Sequence, residues 1–427
     1  MAELLLRGGM VVDATGSRRA DVLVADGLVV AVGEGLEAGP RATVLDAGGC
    51  VVAPGLVDLH THLRQPGQEE AETVESGARA AALGGFTAVV AMPNTDPPVD
   101  SAGTVREVLD LGADTCCDVR VAAAVTKGRE GGELAPMAEM AALGVRLFTD
   151  DGRGVQDGLL MRRALEYASA LGVTLAQHCE DEVLAAGGHM HEGEWSSRLG
   201  IPGQPAEAEE LMVMRDIALA RLTGGRVHFQ HLSTAGSMAL VRAARRGGLR
   251  LTAEVTPHHF TLTDADCAGY DPVFKVKPPL RPAADVEAVR AGLVDGTVDA
   301  IATDHAPHPQ EAKEQPFDLA PPGMLGLETA LALALTELDL AVEAVLALLS
   351  WQPARIAGLE QEHGGPVAEG RPANLCVIDP GATWTVDPDR LASRSRNTPY
   401  AGRPLTGRVR HTVLRGEPVV VDGEAQR

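Results

Sequence analysis

Two histidines one residue apart, in Leu59-His60-Thr61-His62-Leu63-Arg64, close an apolar run that follows Ala53-Pro54. Side chains two apart on a strand point the same way, so a strand ending in His-Thr-His presents two imidazoles side by side. That is what a divalent-metal site needs. Taken alone, the pair fits a surface or packing role equally well, and its meaning depends on partners elsewhere. Those partners recur after later apolar runs: Met92-Pro93-Asn94-Thr95, Thr149-Asp150-Asp151-Gly152, His178-Cys179-Glu180-Asp181 and His231-Leu232-Ser233-Thr234. Two more are Thr256-Pro257-His258-His259 and Asp304-His305-Ala306-Pro307-His308.

The elements that must position these groups alternate. Apolar strands are expected at 56–59, 87–91, 119–123, 145–148, 174–177, 226–230, 250–254 and 300–303, with helices at 73–83, 159–171, 207–223 and 235–246 between some of them. Alternation of this kind marks a parallel α/β fold, and eight units fit a (β/α)₈ barrel. A doubly wound open sheet is the alternative, but no Gly-x-Gly-x-x-Gly follows an early strand. Residues 1–53 read as short strands punctuated by Gly, Asp and Ser, and the texture returns after residue 365. The expected organisation is a β-sandwich built jointly from 1–53 and 365–427, with the barrel, 54–364, inserted between them.

Composition bounds the function. The 427 residues are 45% hydrophobic and 22% charged, ordinary values for globular proteins. A formal net charge of -22 argues against nucleic acid, whose binders carry basic patches. It serves solubility, and it means that an anionic substrate would need local cations for capture. The start, Met1 to Gly8, is too briefly apolar for a signal peptide, and Glu337, Asp339 and Glu343 break the apolar stretch 329–351. Six cysteines without a Cys-x-x-Cys pair read as reduced thiols of a cytoplasmic protein.

Catalytic groups of such barrels sit at the C-terminal strand ends, where this chain concentrates its His and Asp residues. A His/carboxylate set with no Cys in step favours Zn²⁺ or a similar divalent ion. The candidates exceed the needs of one tetrahedral ion, and two ions sharing a bridging carboxylate would use them all. His228, three residues before His231, is expected to face away as a packing or surface residue. His189, His191, His363 and His411 receive no function, and His258 and His259 stay open between loop ordering and chemistry.

Assembled, these segments resemble the amidohydrolase superfamily and, within it, the first-class bacterial dihydroorotases. The similarity runs along essentially the whole chain, down to Asn397-Thr398-Pro399-Tyr400 near its end. The resemblance implies a binuclear zinc centre, with His60, His62 and Asp304 on one ion and His178 and His231 on the other. Many relatives bridge the ions with a carboxylated lysine. Here adjacent Asp150 and Asp151 stand in that region, and the family's spacing matches Asp151 to the bridge. The implied reaction is reversible hydrolysis of dihydroorotate to N-carbamoyl-L-aspartate, the third step of pyrimidine synthesis, with Asp304 as general base and then general acid.

The resemblance also assigns the substrate carboxylate to Arg64, Asn94 and His308, and backbone contacts with the ring to Pro322-Gly323, where Phe usually replaces Pro322. Residues 308–321 resemble the family's mobile loop. Lys277 departs from the usual Asn before Pro-Pro-Leu-Arg, and two fates stay open for it: a cation near substrate, or a side chain turned to solvent. A homo-oligomer and an association with aspartate carbamoyltransferase are the implied partners. The competing readings are a hydantoinase-like or dihydropyrimidinase-like cyclic amidase, and a catalytically dead scaffold for that transferase.

Overall fold

The computed structural model describes residues 3–426; Met1 and Ala2, which open the segment read above for a leader, and Arg427 lie outside it. The eight expected parallel strands form at Leu56–Thr61 (β1), Phe86–Ala91 (β2), Asp118–Val121 (β3), Leu147–Phe148 (β4), Thr174–Gln177 (β5), Val227–Phe229 (β6), Leu251–Val255 (β7) and Ala300–Ile301 (β8). Hydrogen bonding runs β1-β2-β3 in one sheet and β4-β5-β6-β7-β8 in another. Parallel bridges Ala123–Phe148 and Thr61–His305 join the two and close the barrel. Every residue of β1 and β2 is buried, as expected for strands covered on both faces.

The connecting helices start where the sequence provides caps. Thr73 Oγ1 accepts from Ser76 N at 3.1 Å to open the helix Val74–Leu83. Thr234 does the same for Ser237 N at 3.1 Å, opening Ala235–Arg246 three residues after His231. Phe86, Phe148, Phe229 and Phe260 are fully buried in the barrel core. Truncating any one to Ala would cost about 3–5 kcal/mol in lost transfer energy and cavity.

The terminal segments meet in one nine-stranded, mainly antiparallel sheet. Its seam pairs Val51–Pro54 with Leu375–Ile378, placing Ala53 opposite Cys376. Leu6, Val22, Val52, Leu375, Val377 and Val413, drawn from both ends of the chain, share a core of their own. Pro54 leads through Gly55 straight into β1, so the seam anchors the strand that carries His60 and His62. Among the described residues, no helix is long and apolar enough to cross a membrane.

Candidate metal centre and active site

His60, His62, Asp151, His178, His231 and Asp304 converge at the C-terminal strand ends. His60 Nε2 lies 3.2 Å from Asp151 Oδ1 and 3.5 Å from Asp304 Oδ1. His62 Nε2 lies 3.0 Å from Asp304 Oδ1 and 3.6 Å from Asp151 Oδ2. On the other side of Asp151, Oδ1 stands 3.6 Å from His178 Nδ1 and 3.7 Å from His231 Nε2, and those two nitrogens are 2.9 Å apart. Two donor triads thus share Asp151: His60/His62/Asp151 and Asp151/His178/His231. Donors around a tetrahedral ion with bonds of roughly 2.0–2.1 Å stand about 3.3 Å from one another. The spacing fits two divalent ions bridged by one carboxylate. His60 Nε2 is wholly buried and makes no hydrogen bond, as a metal-facing lone pair would.

The electrostatics ask for positive charge at the centre. Burial opposes a charge on His60, yet Asp151 and Asp304 hold its pKa well above the ordinary value. Burial likewise opposes ionisation of Asp151, and His60, His178 and His231 hold it well below the usual carboxylate range. Asp304 is also lowered against burial, chiefly by His60 and His62. Both carboxylates are therefore ionised at neutral pH.

Partners behind the imidazoles fix their tautomers. His60 Nδ1 donates to Glu254 Oε1 at 3.0 Å, leaving Nε2 free for the centre. The other oxygen of Glu254 accepts from His228 Nε2 at 2.9 Å, and His228 Nδ1 lies 2.8 Å from Thr252 Oγ1. Although burial raises it, the carboxyl of Glu254 is held down to about 2 by His228 and His60. His228 is thus no idle packing or surface residue; it backs a candidate ligand. Residues three apart face opposite sides only while the strand continues. Here β6 ends at Phe229, and His231 follows with a left-handed φ of 33°.

Asp304 and Arg64 share that unusual backbone, with φ of 45° and 63°. Strained non-glycine residues of this kind cluster at functional sites. Buried Glu209 holds the turn after His231, accepting from Ser233 N at 3.1 Å and Thr234 N at 3.2 Å. Asp150 shapes the turn beside Asp151, taking bonds from Val125 N and Thr126 N at 2.9 and 3.0 Å. Glu209 and Glu254 carry no strand-end signal in the sequence, and only their place in an apolar context hints at buried duty.

A second group of side chains stands beside the cluster. Arg64 is 9% exposed; its Nε donates to Pro307 O at 3.1 Å, and one terminal nitrogen lies 3.4 Å from His308 Nε2. His308 Nε2 approaches Pro322 O at 2.8 Å, which assigns the proton to Nε2 and makes it a donor. Burial and Arg64 push His308 down to about 3, so the ring is neutral at pH 7. Burial brings Arg64 down to about 10 against the pull of Asp304 and Asp151, and it stays charged. Asn94 links the two groups: its Oδ1 accepts from His62 Nδ1 at 2.9 Å, and its amide points at Asp151 Oδ2, 3.4 Å away.

Lys277 is turned inward. Its Nζ pairs with Glu180 Oε1 at 2.8 Å and donates to Gly152 O at 3.2 Å. The backbone of Pro322-Gly323 is engaged within the protein, for Gly323 N donates to Lys275 O at 2.8 Å. A cavity of about 420 Å³, lined by Gly152, Glu180, Lys275, Lys277 and Pro322, opens here. A larger one, about 900 Å³ and lined by Leu83, Trp384 and Val386 among others, contains none of the site residues. Size does not mark this site; the convergence of ionisable groups does. His259 orders a loop, with Nε2 3.1 Å from Pro278 O, whereas His258 Nε2 is buried without a partner.

Comparison with known proteins follows this geometry. Residues 49–237 match the family model described as dihydro-orotase-like. A dihydroorotase of Pelotomaculum thermopropionicum is 49% identical, the match covering 98% of this chain and 99% of the relative. That of Streptomyces coelicolor is 50% identical over 99% of this chain and 100% of its own. The chain belongs to the dihydroorotase family. Among solved structures, the L-hydantoinase (dihydropyrimidinase) of Arthrobacter aurescens superimposes with a TM-score of 0.89 at 26% identity, covering 100% of this chain and 98% of the hydantoinase. A dihydropyrimidinase of Brevibacillus agri shares the fold at 22% identity and a TM-score of 0.85. Family membership and fold therefore agree on a cyclic-amide hydrolase with a divalent-metal site.

Proposed function

We propose that the protein is a dihydroorotase of the first bacterial class, opening (S)-dihydroorotate to N-carbamoyl-L-aspartate and closing it again. The observation that carries this reading is Arg64, buried, charged and on the same strand end as His60 and His62. In a chain of net charge -22, a buried cation at the metal cluster has an anionic substrate group as its natural partner. Hydantoins and dihydrouracil carry no carboxylate and need no such residue. This favours a dihydroorotase over the hydantoinase-like amidase that the fold neighbours bring to mind.

In this reading His60, His62 and Asp304 would hold one divalent ion and His178 and His231 a second, with Asp151 within reach of both donor groups. When bound, two zinc ions supply Lewis-acid polarisation and an acidified water. Arg64 grips the carboxylate with the neutral His308 ring beside it, assisted by Asn94, and fixes the ring amide against the cluster. Asp304, ionised at neutral pH, takes the proton of the attacking water and delivers it to the ring nitrogen as the carbon–nitrogen bond breaks. Lys277 and the Pro322-Gly323 backbone border the ring.

The division into a composite β unit, 1–53 with 365–427, and a barrel, 54–364, belongs to the same proposal and is supported by the seam at Val51–Pro54. A cytoplasmic setting is supported by Cys50, Cys117, Cys179, Cys267 and Cys376, buried thiols outside any disulfide. Homo-oligomerisation is supported by Leu211, Met214 and Leu222, exposed along one face of the helix Glu207–Thr223. Pairing with aspartate carbamoyltransferase would be read by co-purification of the two enzymes.

The deciding experiment compares ring opening of dihydroorotate and dihydrouracil by the zinc-loaded protein. Turnover of dihydroorotate with little of dihydrouracil is expected, and the reverse preference would overturn the assignment. A chain that takes up no divalent ion on reconstitution would favour the scaffold.

A further inference from the structure

The Asn397-Thr398-Pro399-Tyr400 motif has no part in the chemistry above, yet Asn397 is 5% exposed and bonds at the rim of the site. The segment 308–323 leaves the barrel after β8 and returns beside Lys275, so its two ends form a neck. Asn397 lies across that neck. Its Oδ1 accepts from His308 N at 3.2 Å, while its Nδ2 donates to Ala306 O at 3.0 Å and to Gly323 O at 3.1 Å. Only an amide can accept one bond and donate two in this way, and the two carbonyls fix which end is nitrogen.

The neck is tight. Gly323 has a φ of 140°, and a Cβ there would come within 2.7 Å of Ala306 Cβ and 2.8 Å of His308 Nε2. Any shift of the Gly323 strand therefore moves the imidazole that meets Arg64. The crown of the loop is secured separately. Lys313 Nζ donates to Pro272 O and Pro321 O at 2.9 and 2.8 Å, and Lys275 Nζ donates to Phe317 O and Asp318 O at 2.8 and 3.0 Å. Lys275 grips two carbonyls of the loop, and Lys313 ties the loop's own Pro321 to Pro272, so the loop stays docked when the neck alone is loosened.

We infer that Asn397 is a positioning residue for the substrate carboxylate, its amide locking the neck so that His308 stands beside Arg64 within reach of one anion. This rests on the dihydroorotase reading. Asn397 touches no substrate; it acts through His308 and the Gly323 backbone.

The test uses the zinc-loaded full chain with Asn397→Ala, Asn397→Asp and, as a control in the same motif, Tyr400→Phe. The control removes the 2.8 Å bond between the Tyr400 hydroxyl and Thr261 and leaves the neck intact. Asn397→Ala should raise KM for dihydroorotate and for N-carbamoyl-L-aspartate about tenfold, with kcat within about threefold and bound metal unchanged. Asn397→Asp is isosteric, but its carboxylate opposes two carbonyls and should raise KM at least as much. Tyr400→Phe should lower Tm and leave KM alone. The inference fails if both Asn397 variants keep KM within roughly twofold of the parent, or if Tyr400→Phe shifts KM equally. It also fails if kcat falls while KM stays. A parent protein without dihydroorotate turnover overturns the functional reading and the inference with it, whereas an active parent with unaltered variants overturns the inference alone.

Discussion

The His/Asp half of the site hangs on barrel strand ends, whereas in the second half only Arg64 does, and its partner His308 is set by loops and a distant tail. His60, His62, His178, His231 and Asp304 each lie within a few residues of a strand whose register the sheet dictates. Behind His60 stand Glu254 on β7 and His228 on β6, so even its supports are strand residues. His308 instead takes its place from Pro322 O, 14 residues on, and from Asn397, 89 residues on. Rigid strands suit a cluster that must hold its geometry through every turnover. Loops held by carbonyl contacts suit a pocket that must admit and release a charged molecule. Asn94, bonded to His62 and aimed at Asp151, is the hinge between the two.

If the halves are distinct, each should fail in its own way. The largest effect is expected for Asp151→Ala, which removes the donor common to both triads; metal content should drop and kcat fall by roughly 10³-fold or more. Arg64→Met keeps the unbranched stem of the side chain but removes the guanidinium and its charge. About 10²–10³-fold should be lost from kcat/KM for dihydroorotate, mainly through KM, with bound metal retained. Loss of metal in Arg64→Met would merge the halves.

Glu254→Gln weakens the support of His60 and should lower metal affinity about 10–100-fold in a chelator competition, with KM unchanged at saturating metal. The smallest effect probes the fold away from both halves. Burial pushes the partly buried Glu328 carboxyl up to about 7, although Ala392 N donates to it at 2.9 Å. The folded state therefore binds this proton more tightly than the unfolded chain. Stability from this group is present below the ordinary value of 4.5 and is lost as pH rises toward 7. Glu328→Gln should flatten the decline of Tm across that window and leave kinetics alone.

Much of this architecture was legible in the sequence because periodicity and strand-end chemistry act locally. All eight barrel strands fall within a few residues of their expected places, and the helices Glu207–Thr223 and Ala235–Arg246 match theirs end to end. Ligand-type residues at successive strand ends could be read as one cluster because a barrel brings those ends together. What escaped is non-local or breaks the period. His228 escaped because a left-handed residue ends strand parity at His231. Lys277 offered two fates that only the position of Glu180 could separate. Asn397 stood out as a motif, but its bonds reach 74, 89 and 91 residues back along the chain, and no local pattern encodes them.

The central claim is that one pocket joins a carboxylate-bridged metal pair to an arginine-held anion. It is met most directly by a crystal structure of the zinc-loaded protein with N-carbamoyl-L-aspartate, using anomalous scattering to locate the ions. Two zinc peaks are predicted, one on each side of Asp151, with a ligand carboxylate between Arg64 and His308. A single ion away from Asp151, or a ligand whose carboxylates leave Arg64 untouched, would contradict the account.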